Sequence, residues 1–117
     1  MLNPANVSKR SIYLKLGPTD MRKSINTLSI LVEGSMKLNP FSEGLFVFCN
    51  RRQDNIKILY WDKNGFCLWQ KRLEKDRFPW PDKFEDIIRI SGKELGWLLN
   101  GLDITKAYKA LKYETVL

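Results

Sequence analysis

A chain of 117 residues with 44% hydrophobic and 12% aromatic residues is one domain's length and too apolar to be disordered. It can bury roughly two-thirds of its extended surface, so a core needs neither metal nor disulfide. Twenty Lys and Arg against thirteen Asp and Glu leave a net charge of +7, which points to a polyanionic partner, nucleic acid before membrane.

The excess is uneven. Residues 1–83 carry fifteen basic and eight acidic side chains, while residues 84–117 balance five against five. There is no histidine, which removes the commonest general base and metal ligand. Cys49 and Cys67 are too far apart for a C-x-x-C pair and too few for a zinc knuckle. Both lie in apolar runs and read as buried free thiols. No apolar run approaches a membrane span and no signal peptide opens the chain. A reducing, cytoplasmic location is expected.

Residues 1–10, with Pro4 and two Asn, read as a flexible start. Ser11 to Leu16 alternates, with Ile12, Leu14 and Leu16 on one face, and predicts a strand. Gly17-Pro18 ends it. Thr19 and Asp20 offer N-cap oxygens, and Met21, Ile25, Leu28, Leu31 and Val32 form a helical stripe from Met21 to a stop at Gly34. Arg22 and Lys23 would then sit in a first helical turn, where cations oppose the helix dipole. That placement makes them candidates for phosphate contact.

Gly44 to Cys49 is apolar on both faces and predicts a central strand. Asn50 to Asn55 is a polar connection holding Arg51 and Arg52. Ile56 to Asp62 and Phe66 to Leu73 predict an antiparallel hairpin, with Gly65 in the left-handed position of a type I turn. Asp62 then opposes Phe66, Leu59 opposes Trp69, and Lys57 opposes Lys71. One face would carry Trp61, Trp69 and Leu59 between Lys57 and Lys71, the other Ile58, Tyr60, Phe66 and Leu68. A basic and aromatic face suits a single nucleic-acid strand, with rings on bases and cations along the backbone. The alternative is that the first helix covers this face and the lysines snorkel at its rim. A slip of one residue would exchange the two faces.

Glu74 to Pro81 cannot be strand interior because Pro79 and Pro81 lack donors. Phe78 and Trp80 are expected to anchor this loop to the sheet. Ser91 and Glu94 have capping-box spacing, opening a helix that runs to Gly101. Residues 103–117 read as either a further helix or a tail.

Catalytic constellations are missing. There is no phosphate-binding G-x-x-x-x-G-K-[ST] loop and no Ser–His or Cys–His pair. Pro81-Asp82 begins a metal-nuclease pattern, but no Asp/Glu-x-Lys follows. Asp20, Asp54, Asp62 and Asp76 lie at expected caps, turns or among basic residues. No enzyme activity, metal, cofactor or small-molecule substrate is expected.

Gly17-Pro-Thr-Asp-Met-Arg-Lys-Ser-Ile25, Pro40-Phe-Ser-Glu-Gly-Leu-Phe-Val-Phe48, Ile56-Lys-Ile-Leu-Tyr-Trp-Asp62, Gly65-Phe-Cys-Leu68, Lys71-Arg-Leu-Glu-Lys75 and Arg77-Phe-Pro-Trp-Pro81 occur in this order. Over roughly residues 12–104, with Trp97 to Asp103 a weaker match, the chain resembles the small TnpB-type accessory proteins of bacterial insertion sequences of the IS-sixty-six type. The resemblance implies a protein needed for transposition, encoded beside a larger transposase that holds the catalytic carboxylates. DNA and the cognate transposase are the implied partners. It does not say which residues touch DNA. Charge and predicted placement nominate Arg22, Lys23, Arg51, Arg52, Lys57, Lys71, Arg72 and Arg77, with Trp61 and Trp69 as stacking rings. A protein–protein adaptor without specific DNA binding is the alternative.

The expected fold is α/β or α+β, a single domain over residues 1–117. It would hold a mostly antiparallel sheet of about four strands, a helix after the first strand, and one or more helices near the C-terminus.

Overall fold

The computed structural model describes residues 10–104. The expected flexible start, residues 1–10, and the expected helix or tail over residues 103–117 lie, but for residues 10, 103 and 104, outside the described residues. The elements run β1 (Ile12–Lys15), α1 (Ile25–Gly34), β2 (Leu45–Cys49), β3 (Asn55–Asp62), β4 (Gly65–Arg72), β5 (Ile87–Ile90) and α2 (Gly92–Leu99). The sheet has five strands in the order β4-β3-β2-β1-β5, one more than expected. It is mostly antiparallel, as expected, but β1 and β2 run parallel. Parallel neighbours need a long crossover, and the segment containing α1 supplies it.

β2 is the middle strand, and all five of its residues are buried. Its side chains alternate between two cores. Leu45, Val47 and Cys49 join Ile12, Leu14, Ile56, Ile58, Phe78, Leu95 and Leu98 on the α2 side. Phe46 and Phe48 join Leu28, Val32, Met36 and Leu59 on the α1 side. The sheet is therefore covered on both faces, which is why its central strand is a continuous apolar run. Phe78 and Trp80 do anchor the proline-rich loop to the α2-side core. The Ser91–Glu94 capping box is present, with both reciprocal hydrogen bonds at 3.0 and 3.1 Å.

Both cysteines are free; Cys49 is buried and Cys67 half-buried. Burial pushes the Cys49 thiol up to about 12, so it stays protonated and inert at neutral pH.

Two local expectations are corrected. The first concerns α1, which begins at Ile25 with Ser24 as its N-cap, not at Met21. The cause lies on another strand. Lys57 Nζ donates to the carbonyls of Met21 (2.6 Å) and Lys23 (3.1 Å). In a helix from Met21, those carbonyls would accept from residues four further on. Asp20 meanwhile turns the chain by accepting from the Arg22 N–H at 2.9 Å. Arg22 and Lys23 thus precede the helix and do not lie in its first turn.

The second correction is the hairpin register. Asp62 pairs with Gly65, Trp61 with Phe66, Ile58 with Trp69 and Ile56 with Lys71. The loop is Lys63-Asn64, and Lys63 rather than Gly65 takes the left-handed conformation, at φ 55°. A shift of one residue turns every side chain of one strand to the other face. Trp61 consequently stands on the α1 side, packed edge-on against Phe66 and Phe41 with centroids 5.0 and 5.1 Å away. Trp69 packs against the α2-side core. The shared face of Trp61, Trp69, Lys57 and Lys71 does not exist.

Candidate nucleic-acid interface

The parallel pair β1 and β2 directs two carboxyl ends to one side of the molecule, a place where open sheets gather ligands. The chain leaves β1 through Gly17, at φ 84°, a left-handed angle that suits glycine. The Thr19 N–H then donates to the Cys49 carbonyl at 2.8 Å, fastening the 17–23 loop to the end of β2. Lys57 fastens the same loop from beneath. Its side chain is buried on the α1 side, and its amine is occupied by the two carbonyls already described.

The β2–β3 turn lies opposite. Asn50 Oδ1 accepts from the N–H groups of Asp54 and Asn55, both at 3.1 Å, and Asn50 Nδ2 donates to Asp54 Oδ1 at 2.7 Å. Braced by the Asn50 side chain, the turn leaves Arg51 and Arg52 exposed at its tip. Residues 18–22 and 50–52 together line an open cleft of about 840 Å³.

Three arginines therefore meet at this cleft, in two electrostatic states. Arg22 is committed to Asp20, with Nη2 to Oδ2 at 2.7 Å and Nε within 3.1 Å of both oxygens. The Arg22 side chain, then its backbone N–H, draws the Asp20 carboxyl down to about 2, so the pair stays ionised through the neutral range. Arg22 remains 91% exposed in this pair, and exposed ion pairs contribute little stability. Arg51 and Arg52 are in no ion pair among the described residues.

The other nominated residues divide. Lys23 is half-exposed beside the cleft, and Arg77 is exposed at the same end of the sheet. Its neighbour Phe78 donates a backbone N–H to the Gln53 carbonyl at 2.7 Å, joining the Arg77-Phe-Pro-Trp-Pro81 run to the arginine turn. Lys71 donates to the Leu99 carbonyl at 3.1 Å, a favourable place for a cation at the end of α2. Arg72 pairs with Glu74 at 3.2 Å. Trp61 lies beside the Lys63-Asn64 loop, at the end of β3 away from the arginine turn. Lys57, Lys71, Trp61 and Trp69 are thus held by contacts within the fold.

Lys15 and Lys83 went unnominated, and they share a second pocket. Lys83-Phe84, a cation beside a ring in a polar stretch, is the signal that could have marked them. Among the described residues no group of three or more acidic or cysteine side chains is placed to hold a metal. No helix there is long and apolar enough to cross a membrane.

The buried amine of Lys57 gives a direct test of how the cleft is held. Lys57→Met keeps the packed stem but strands two carbonyl acceptors, a loss of about 1–3 kcal/mol. The variant is expected to melt roughly 5–15 °C lower. Wild-type melting would show that the amine does not hold the loop.

Residues 10–109 match a protein family described as IS66 Orf2 like protein. The uncharacterized protein y4hO of Sinorhizobium fredii (strain NBRC 101917 / NGR234) is 39% identical over 92 residues, covering 79% of this chain and 80% of that protein. A second uncharacterized protein of the same strain, y4jC, is 34% identical over 95 residues, 81% of each chain. No solved structure matches the chain.

Proposed function

The chain belongs to the IS66 Orf2-like family, and on that premise we propose that it is a non-catalytic accessory protein of insertion-sequence transposition. It holds nucleic acid through the cleft formed by Arg22, Arg51 and Arg52. The observation that carries this reading is that one turn presents two exposed arginines, in no ion pair among the described residues, across a cleft from a third. Guanidinium groups suit phosphate oxygens because their donors form a planar fork. The net charge of +7 adds a long-range attraction to DNA.

Asp20 tunes the site. A phosphate that engages Arg22 competes with a carboxylate already bound there, which favours a closely seated backbone over loose contact. The cognate transposase is the second partner in this reading. An adaptor role without specific DNA binding is favoured by a different feature: Phe41, 57% exposed, lies against Trp61 and Phe66 at the other end of the molecule.

Binding of the purified protein to an element-end duplex, a scrambled duplex and a single strand, across a salt series, separates these readings. The expected result is preference for the element end and a log–log salt slope of about 0.9 per phosphate contacted. Equal binding to all three ligands, no tighter than about 10⁻⁴ to 10⁻⁶ M, would discard recognition by this protein and leave the adaptor.

A further inference from the structure

Strand alternation sends Ile12, Leu14 and Leu16 into the α2-side core, so Lys15 lies on the α1 side, opposite Ile87 of β5. There it meets Lys83, whose chain lies across Gly17. A Cβ on that glycine would come within 3.2 Å of Lys83 Cδ. The two lysines, with Ser35, Met36, Asp86 and Ile87, line a pocket of about 250 Å³.

The pocket lining carries a net positive charge, two lysines against one carboxylate. Its one carboxylate, Asp86, is 3.7 Å from Lys83 Nζ, and both side chains are well exposed. Burial, then the Lys83 charge, pushes the Lys15 amine below its usual range; Lys23 adds to this and Asp86 opposes it. An anion in the pocket would relieve that repulsion, and Ser35 supplies a neutral hydroxyl. Directly after Lys83 comes Phe84, a large ring left 69% exposed. Lys83 thus joins a two-lysine pocket to an exposed ring next in sequence, and cations with a ring are the combination that binds an unpaired strand, since every base has a face to stack. A duplex hides those faces.

We propose that Lys15, Lys83 and Phe84 form a second subsite that takes one phosphate and one adjacent base of a single nucleic-acid strand. This rests on the nucleic-acid reading of the cleft and deepens it: the cleft grips backbone, and this subsite selects strand that has come unpaired.

Fluorescence anisotropy with labelled oligothymidylate and with a labelled duplex tests it. Phe84→Ala is expected to weaken oligothymidylate binding about tenfold or more and to leave duplex binding and the melting temperature unchanged. Phe84→Tyr restores binding. Lys15→Gln with Lys83→Gln lowers the single-strand salt slope by about 0.7, the loss of one phosphate. Wild-type affinity in Phe84→Ala, or equal weakening on both ligands, overturns the subsite. A wild-type protein that binds duplex but not oligothymidylate also overturns it and leaves the cleft standing. A wild-type protein that binds neither ligand overturns the cleft and the subsite together.

Discussion

Reversing Arg51 and Arg52 together, as Arg51→Glu with Arg52→Glu, is expected to lower duplex affinity by about a hundredfold or more in low salt. Hydrogen bonds to charged groups are worth about 1.5–3 kcal/mol each, so removing two accounts for that factor before repulsion is added. The log–log salt slope should also fall by about 1.8, for two phosphates. The fold is expected to survive the change. Both side chains are exposed at the tip of a turn braced by the Asn50 side chain. Arg22→Glu alone should cost less, because Arg22 already spends its guanidinium on Asp20. A folded double variant with wild-type affinity and slope would place the interface elsewhere on the molecule.

Phe78→Ala is expected to be the most destabilising single change. The ring has no exposed surface and sits in the α2-side core. Deleting it removes apolar contact and leaves a cavity, together about 3–5 kcal/mol. Against a total of about 5–15 kcal/mol, the variant approaches or crosses the limit of folding. Urea unfolding would read this as a lower midpoint with an unchanged slope. The site should suffer too, since the Phe78 backbone holds Gln53, next to Arg52. A loss below about 1 kcal/mol would mean that the Arg77-Phe-Pro-Trp-Pro81 run is not part of the core.

What could be read from sequence was whatever local chemistry decides. The run from Leu45 to Cys49 is apolar at every position, and only a strand covered on both faces needs that. Ser91 and Glu94 satisfy each other within one helical turn. The start of α1 was not legible, because the residue that denies Met21 and Lys23 to the helix is Lys57, on β3, more than thirty residues away. The hairpin register turned on whether Lys63 or Gly65 accepts a left-handed backbone. Glycine is the intrinsic choice, but the other register would turn every residue of β4 over. Phe66 and Leu68 would then leave the α1-side core and Trp69 the α2-side core. β5 escaped notice because it is four residues long, carries Arg89, and follows a charged stretch. Its partner, β1, lies near the start of the chain.

For the candidate site, Arg22, Arg51 and Arg52 were each nominated, but their convergence depends on the parallel pairing of β1 with β2. Nothing within either segment encodes that pairing. The loss of the proposed tryptophan face and the omission of Lys15 and Lys83 share one cause. Which surface a residue reaches depends on its neighbours in space, and those neighbours are distant in sequence.

The place of β1 between β2 and β5 also bears on how the chain comes to be folded as it leaves the ribosome. β2, β3 and β4 follow one another through short connections and can zip up locally as soon as residue 72 emerges. β1 is made first, yet one of its two edges has no partner until Ile87–Ile90 is synthesised. Through most of translation the nascent protein therefore presents an open strand edge at β1. Closing it is a long-range event, of the kind that slows folding.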